Sequence, residues 1–176
     1  MNAGAMICSA WIACLMLLAS CGQTAAQSDT TPGNKTMHAS TTYLYLLRNT
    51  PFFTSLSKPQ LRWVIDHSRE WEAKSGATVT DCADTSGDYW ILLDGGWAVA
   101  YGGKQLPAGH ADAGKWFSAK EVQGECRLVT TERSYVMQIK RAVMDAMLAE
   151  GFAFNAHLNA GRAYYRSIFG SDQPAR

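Results

Sequence analysis

The chain is 176 residues long, 47% hydrophobic and 18% charged, with a formal net charge of +1. Those values suit one globular domain with a real core and exclude a disordered polyelectrolyte. With no basic excess and no Lys/Arg stripe at helical spacing, there is no field to hold a phosphate backbone, so nucleic acid is excluded as a partner.

The first 28 residues carry no charged side chain, and residues 6–19 form a nearly continuous apolar run too short to span a bilayer comfortably. Residues 1–20 read as an export signal. The run ends in Leu18-Ala19-Ser20-Cys21-Gly22, which resembles the lipobox of bacterial lipoproteins. That resemblance implies lipid attachment at Cys21, as diacylglycerol and palmitate, and a membrane as partner. It also implies a periplasmic location, on the outer membrane rather than the inner. The Lys or Arg that usually precedes such a run is absent, and an uncleaved anchor is the alternative. Residues 21–37, rich in Gln, Thr, Ala, Ser and Gly, read as a flexible tether to a domain over 38–170.

Within that domain, Tyr43, Leu44, Leu46 and Leu47 suit a short helix ended by Thr50-Pro51, because a residue before proline avoids the α region. Ser57, Pro59 and Gln60 then form a helix-start signal with a capping box. Leu61, Val64 and Ile65 supply the buried stripe, and the helix should stop near Ser68. Residues 70–74 and 77–80 read as strands. After a polar loop with Ser86, Gly87 and Asp88, two apolar runs at 89–93 and 97–101 flank Asp94-Gly95-Gly96, which reads as a hairpin. Trp97, Val99 and Tyr101 make one face of the second run bulky, while Ala98 and Ala100 leave the other smooth.

Gly102-Gly103 predicts a tight turn, and residues 106–114 read as a polar loop. Gly114-Lys115-Trp116-Phe117 follows, then a segment at 118–123 able to hold one helical turn. Runs at 126–130 and 134–139 around Thr131-Glu132-Arg133 read as a second hairpin. Two helical stripes close the chain: Val143, Met144, Met147 and Leu148, ended by Gly151, then Phe154, Leu158, Gly161, Tyr165 and Ile168. Of the six tryptophans, Trp97 and Trp116 read as core, with a place in a pocket or on the surface as the alternative.

Three of the five cysteines fall in the leader, leaving Cys82 and Cys126. In an oxidising compartment two such residues most simply pair; two buried thiols are the other reading. The four histidines are scattered, and no Cys/His spacing suggests zinc, so no metal or other cofactor is expected. Neither a G-x-S-x-G elbow nor a phosphate-binding glycine loop occurs, which argues against an enzyme. Asp84 and Asp88 read as turn formers rather than as a catalytic carboxylate pair.

Taken together, Phe53-Thr54-Ser55-Leu56-Ser57, Gly76, Ser86-Gly87-Asp88, the 89–99 segment and Gly114-Lys115-Trp116-Phe117 resemble, in order and spacing, the cyclic-nucleotide-binding domain of the cAMP-receptor type. The resemblance covers residues 52–169. It implies a mainly β fold with flanking α: a jelly-roll-like β-roll with N-terminal helices and two C-terminal helices. In that family the lead-in Phe is followed by Gly-Glu, a short helix and an Arg that grips the cyclic phosphate. Here Phe117 is followed by Ser118-Ala119-Lys120-Glu121, and the Arg position falls near Gly124 or Glu125, with Arg127 as the nearest substitute. The expectation is therefore a non-enzymatic envelope lipoprotein whose roll, with a degenerate nucleotide pocket, serves as a protein-interaction or scaffold module. The alternative is a sensor that binds another small ligand through Gly87, Asp88, Trp116, Phe117, Glu121 and Arg127.

Overall fold

The computed structural model describes residues 41–122 and 124–170. The expected signal segment, lipid-attachment residue Cys21 and tether lie outside the described residues. Helix α1 (Thr41–Asn49) stops at Thr50-Pro51, and helix α2 (Lys58–His67) starts on the capping box. Gln60 N donates to Ser57 Oγ at 3.4 Å and Ser57 N donates to Gln60 Oε1 at 2.9 Å. Leu61, Val64 and Ile65 are the buried residues of α2, whose C-cap is Ser68.

Eight strands follow: β1 (Arg69–Ala73), β2 (Thr78–Asp81), β3 (Tyr89–Asp94), β4 (Gly96–Tyr101), β5 (Lys104–Gly109), β6 (Trp116–Phe117), β7 (Cys126–Thr130) and β8 (Ser134–Ile139). They form two four-stranded antiparallel sheets, in the orders β1-β8-β3-β6 and β2-β7-β4-β5. The two orders correspond position by position. Strand β1 runs on into β2, β3 into β4, β5 into β6 and β7 into β8, so one four-stranded ribbon is folded over once into a roll.

This topology corrects both expected hairpins. Strands β3 and β4 lie in different sheets, as do β7 and β8. Asp94-Gly95-Gly96 and Thr131-Glu132-Arg133 are instead corners, where adjacent strands cross between sheets side by side. Gly95 has φ +87°, and a Cβ there would stand 2.6 Å from Ser134 Oγ and 2.7 Å from the Arg133 carbonyl. Ser134 Oγ ties the corners together, accepting from Gly96 N at 3.1 Å and donating to Gly96 O at 2.8 Å. The third crossing joins them through Ser75 Oγ to Thr131 O, 2.9 Å, and Gly76 N to Thr130 O, 2.8 Å. A turn signal reports that the backbone must reach positive φ; it does not report whether the flanking strands pair.

A second correction concerns the loop expected at 106–114. Its first part is β5, paired residue for residue with β4 from Tyr101↔Lys104 to Gly96↔Gly109. Pro107 sits within it because β5 is an edge strand, where a missing N–H costs no ladder bond.

The roll has apolar side chains on both faces of its first sheet. Tyr89, Ile91, Leu93, Met137 and Ile139 pack under α1, α2 and helix α3 (Arg141–Ala149), with Phe52, Phe53, Phe152 and Phe154. Trp90, Leu92 and Val136 face inward, against Trp97, Val99 and Leu128 of the second sheet. That double burial explains the unbroken apolar run of β3. Helix α4 (Asn155–Phe169) completes the fold and places Tyr165 and Phe169 in the inner cluster.

Candidate functional site

At the end of the roll away from the corners, the loop between β2 and β3 meets the segment linking β6 to β7. The latter contains a single 3-10 turn, Ala119–Glu121. Ser118 Oγ donates to Gly87 O at 3.2 Å, and the Lys120 side chain lies over Gly87, within 2.7 Å of where a Cβ would sit. Cys82 and Cys126 form a disulfide with Cα atoms 5.1 Å apart, and Cys82 N donates to Cys126 O at 3.0 Å. Asp81 and Asp84 act as turn formers, accepting from Ala83 N and Ser86 N, each at 2.9 Å.

The residues singled out in the sequence do not converge on one cleft. Asp88 caps α3: its carboxylate accepts from Arg141 N at 3.1 Å and from Gln138 Nε2 at 2.8 Å. Phe117 points into the roll opposite Trp90 and is fully buried. Trp116, one residue earlier on a strand, faces the helical layer, where its indole N–H donates to His157 O at 2.9 Å. Trp97 lies inside the roll and donates to Gly114 O at 2.9 Å. Glu121 accepts from Arg162 Nε of α4 at 3.1 Å. Arg127 alternates outward from buried Cys126 and Leu128, and lines an open groove of about 420 Å³ with Tyr101, Gly103, Lys104 and Glu125.

The interior beside Phe117 is occupied by the chain itself. Tyr165 stacks edge-on against both Trp116 and Phe117, each at 5.8 Å, and its hydroxyl donates to Trp116 O at 2.5 Å. Burial, with a smaller contribution from Tyr164, holds that phenol well above its ordinary pKa, so it remains a neutral donor. Phe169 meets Tyr101 edge-to-face at 4.6 Å. Nearby, burial lowers the pKa of Lys115, with Asp112 opposing, while its ammonium donates to Ala111 O at 3.2 Å. No group of three metal-ligating side chains forms among the described residues.

No family model and no curated protein matches the sequence. Solved structures do match. PKAR CBD2 bound to Sp-2Cl-cAMPS superposes with a TM-score of 0.56 at 13% identity, over 74% of this chain and 88% of that one. The fold is that of the cyclic-nucleotide-binding domain. The regulatory subunit of a cAMP-independent protein kinase A from Trypanosoma brucei gives 0.56 at 18% identity, over 73% of this chain and 49% of its own. The CO-dependent transcription factor CooA from Carboxydothermus hydrogenoformans gives 0.51 at 16%, over 75% and 57%.

Within the cyclic-nucleotide-binding-like roll, the segment after β6 contains the 3-10 turn Ala119–Glu121. The residues that matter there and escaped the sequence reading are Arg162 and Phe169. Arg162 carried no signal, because its partner Glu121 is 41 residues away. Phe169 lies four residues beyond Tyr165 and so extends the α4 stripe, the one available clue.

Proposed function

We propose that this protein is a non-enzymatic envelope lipoprotein whose cyclic-nucleotide-binding-like roll acts as a protein-interaction or scaffold module. The observation that supports it is the filled roll: Phe117, Tyr165 and Phe169 take up the interior, and Glu121 is engaged by Arg162 instead of standing free for a ribose hydroxyl. The structural neighbours include regulatory subunits and a transcription factor, consistent with a binding rather than a catalytic role. Lipidation at Cys21 and a periplasmic address belong to the same reading.

The test is thermal unfolding of the full chain with cAMP or cGMP. A ligand at about 100 times its Kd adds about 2.7 kcal/mol, so a cyclic nucleotide that bound would raise Tm by several degrees. No shift is expected, and a clear one would sink the degenerate-pocket reading. For the address, Cys21→Ala should abolish acyl labelling and membrane retention. A second reading, a small-ligand binding protein, is favoured by the groove around Lys104 and Arg127. A Tm rise with a small dianion, lost in Arg127→Ala, would select it.

A further inference from the structure

The Cys82–Cys126 disulfide stands where three parts of the molecule meet. Cys126 opens β7 and lies opposite Tyr101 in the ladder, and the Tyr101 ring holds Phe169 at the end of α4. Gly124, two residues earlier, also packs against Tyr101, 3.2 Å from where its Cβ would be. On the other side of the same segment, Glu121 fastens Arg162. The two residues differ in exposure. Cys126 is 6% exposed and Cys82 is half-buried, and both line a surface cleft of about 330 Å³ with Asp81, Ala83, Gly124 and Glu125.

We propose that this bond is a redox-operated latch on the C-terminal half of α4, opened by a dithiol reductant that enters the cleft and attacks Cys82. The reductant's thiolate bonds to Cys82 Sγ, the S–S bond breaks, and its electron pair leaves on Cys126 Sγ, which takes a proton from water. The reductant's second thiol, after losing its proton, attacks the mixed disulfide and releases Cys82 as a thiolate that is then protonated. The protein gains two electrons and two protons, and the reductant departs as its own disulfide. Asp81 and Glu125 beside the sulfur repel anionic thiols, so the cleft favours a neutral or cationic dithiol over glutathione. Once the bond is open, β7 and the 3-10 turn lose their covalent tie to β2, and Tyr101 and Glu121 hold α4 less firmly. This inference does not rest on the scaffold reading.

The experiment uses the oxidised full chain with dithiothreitol and no denaturant, followed by thiol mapping and amide hydrogen exchange. Reduction should proceed in the folded protein, with the mixed disulfide trapped by acid quench on Cys82 and Cys126 as the first free thiol. Exchange should rise at least ten-fold in the 3-10 turn, the start of β7 and the last two turns of α4, leaving α1, α2 and β3 unchanged. At equal thiolate concentration glutathione should reduce the bond more slowly, and this difference should shrink at high salt. The latch is refuted if the bond yields only when denaturant unfolds the protein, if exchange rises uniformly or nowhere, or if the reductant is trapped on Cys126 instead of Cys82.

Discussion

Gly161 shows how two opposing effects are decided at one residue. It lies inside α4, where alanine would be favoured by about 0.8–1 kcal/mol on helix propensity alone. A Cβ there would stand 2.1 Å from Trp116 Nε1 and 2.4 Å from Trp116 Cε2. The indole cannot swing away, because it is fully buried and hydrogen-bonded to His157 O. Overpacking of about 1–3 kcal/mol opposes that gain and, with contacts this short, outweighs it, so Gly161→Ala should destabilise by up to about 2 kcal/mol in urea unfolding; a stabilised variant would show that the seat is loose. Asp88 accepts from the first N–H of α3, so Asp88→Ala should cost about 1–2 kcal/mol and Asp88→Asn less, since an amide oxygen still caps Arg141 N. His157 sets a pH dependence. Burial, then the charge of Lys115, lowers its pKa below the ordinary 6.5. Below about that pH the unfolded chain takes up a proton that the folded one refuses, so stability falls as pH drops from 6.5 toward the folded pKa. His157→Gln should flatten that slope. The loss from Glu72, whose pKa is lowered chiefly by its bond to Arg133, comes in a separate window below 4.5.

Among the elements, α2 is fixed locally and the corners are not. Its capping box satisfies orphan N–H groups within four residues of sequence, so Ser57→Ala should cost about 1 kcal/mol by chemical denaturation, with the rest of the fold retained. Equal stability of the variant would show that Pro59 and packing suffice. The corners depend on groups brought from far along the chain: Ser75, Gly96 and Ser134 meet at one place. Gly95→Ala meets both a positive φ and a contact of 2.6 Å with Ser134 Oγ, so it should be more damaging than an alanine at Gly102, which has nothing within 4 Å. Comparison of their urea midpoints checks the order.

For the molecule as a whole, the cross-link closes a loop with a sequence separation of 44, for which chain entropy gives about 4 kcal/mol at most. Reduction should lower the unfolding free energy by about 2–4 kcal/mol, and a smaller change would mean that the reduced unfolded chain stays compact around that loop. The sequence by itself determined what local physics controls: four helical stripes and the capping box of α2, the positions of all but one of the longer strands, and the resemblance of their order to a β-roll. It also reduced the cysteine question to Cys82 and Cys126. Only the tertiary structure decided which strands pair, since a glycine turn serves a hairpin and a sheet crossing equally well. It also decided that Phe117 enters the roll while Trp116 faces the helices, because neighbouring strand residues point to opposite faces and the register is set by partners elsewhere in the chain. The partners of Glu121 and of Phe117 were decided in the same way. Glu121 is bound because α4 returns to it with Arg162, and Tyr165 and Phe169 enter the roll from α4, whose stripe was periodic in the sequence but named none of the partners it would meet.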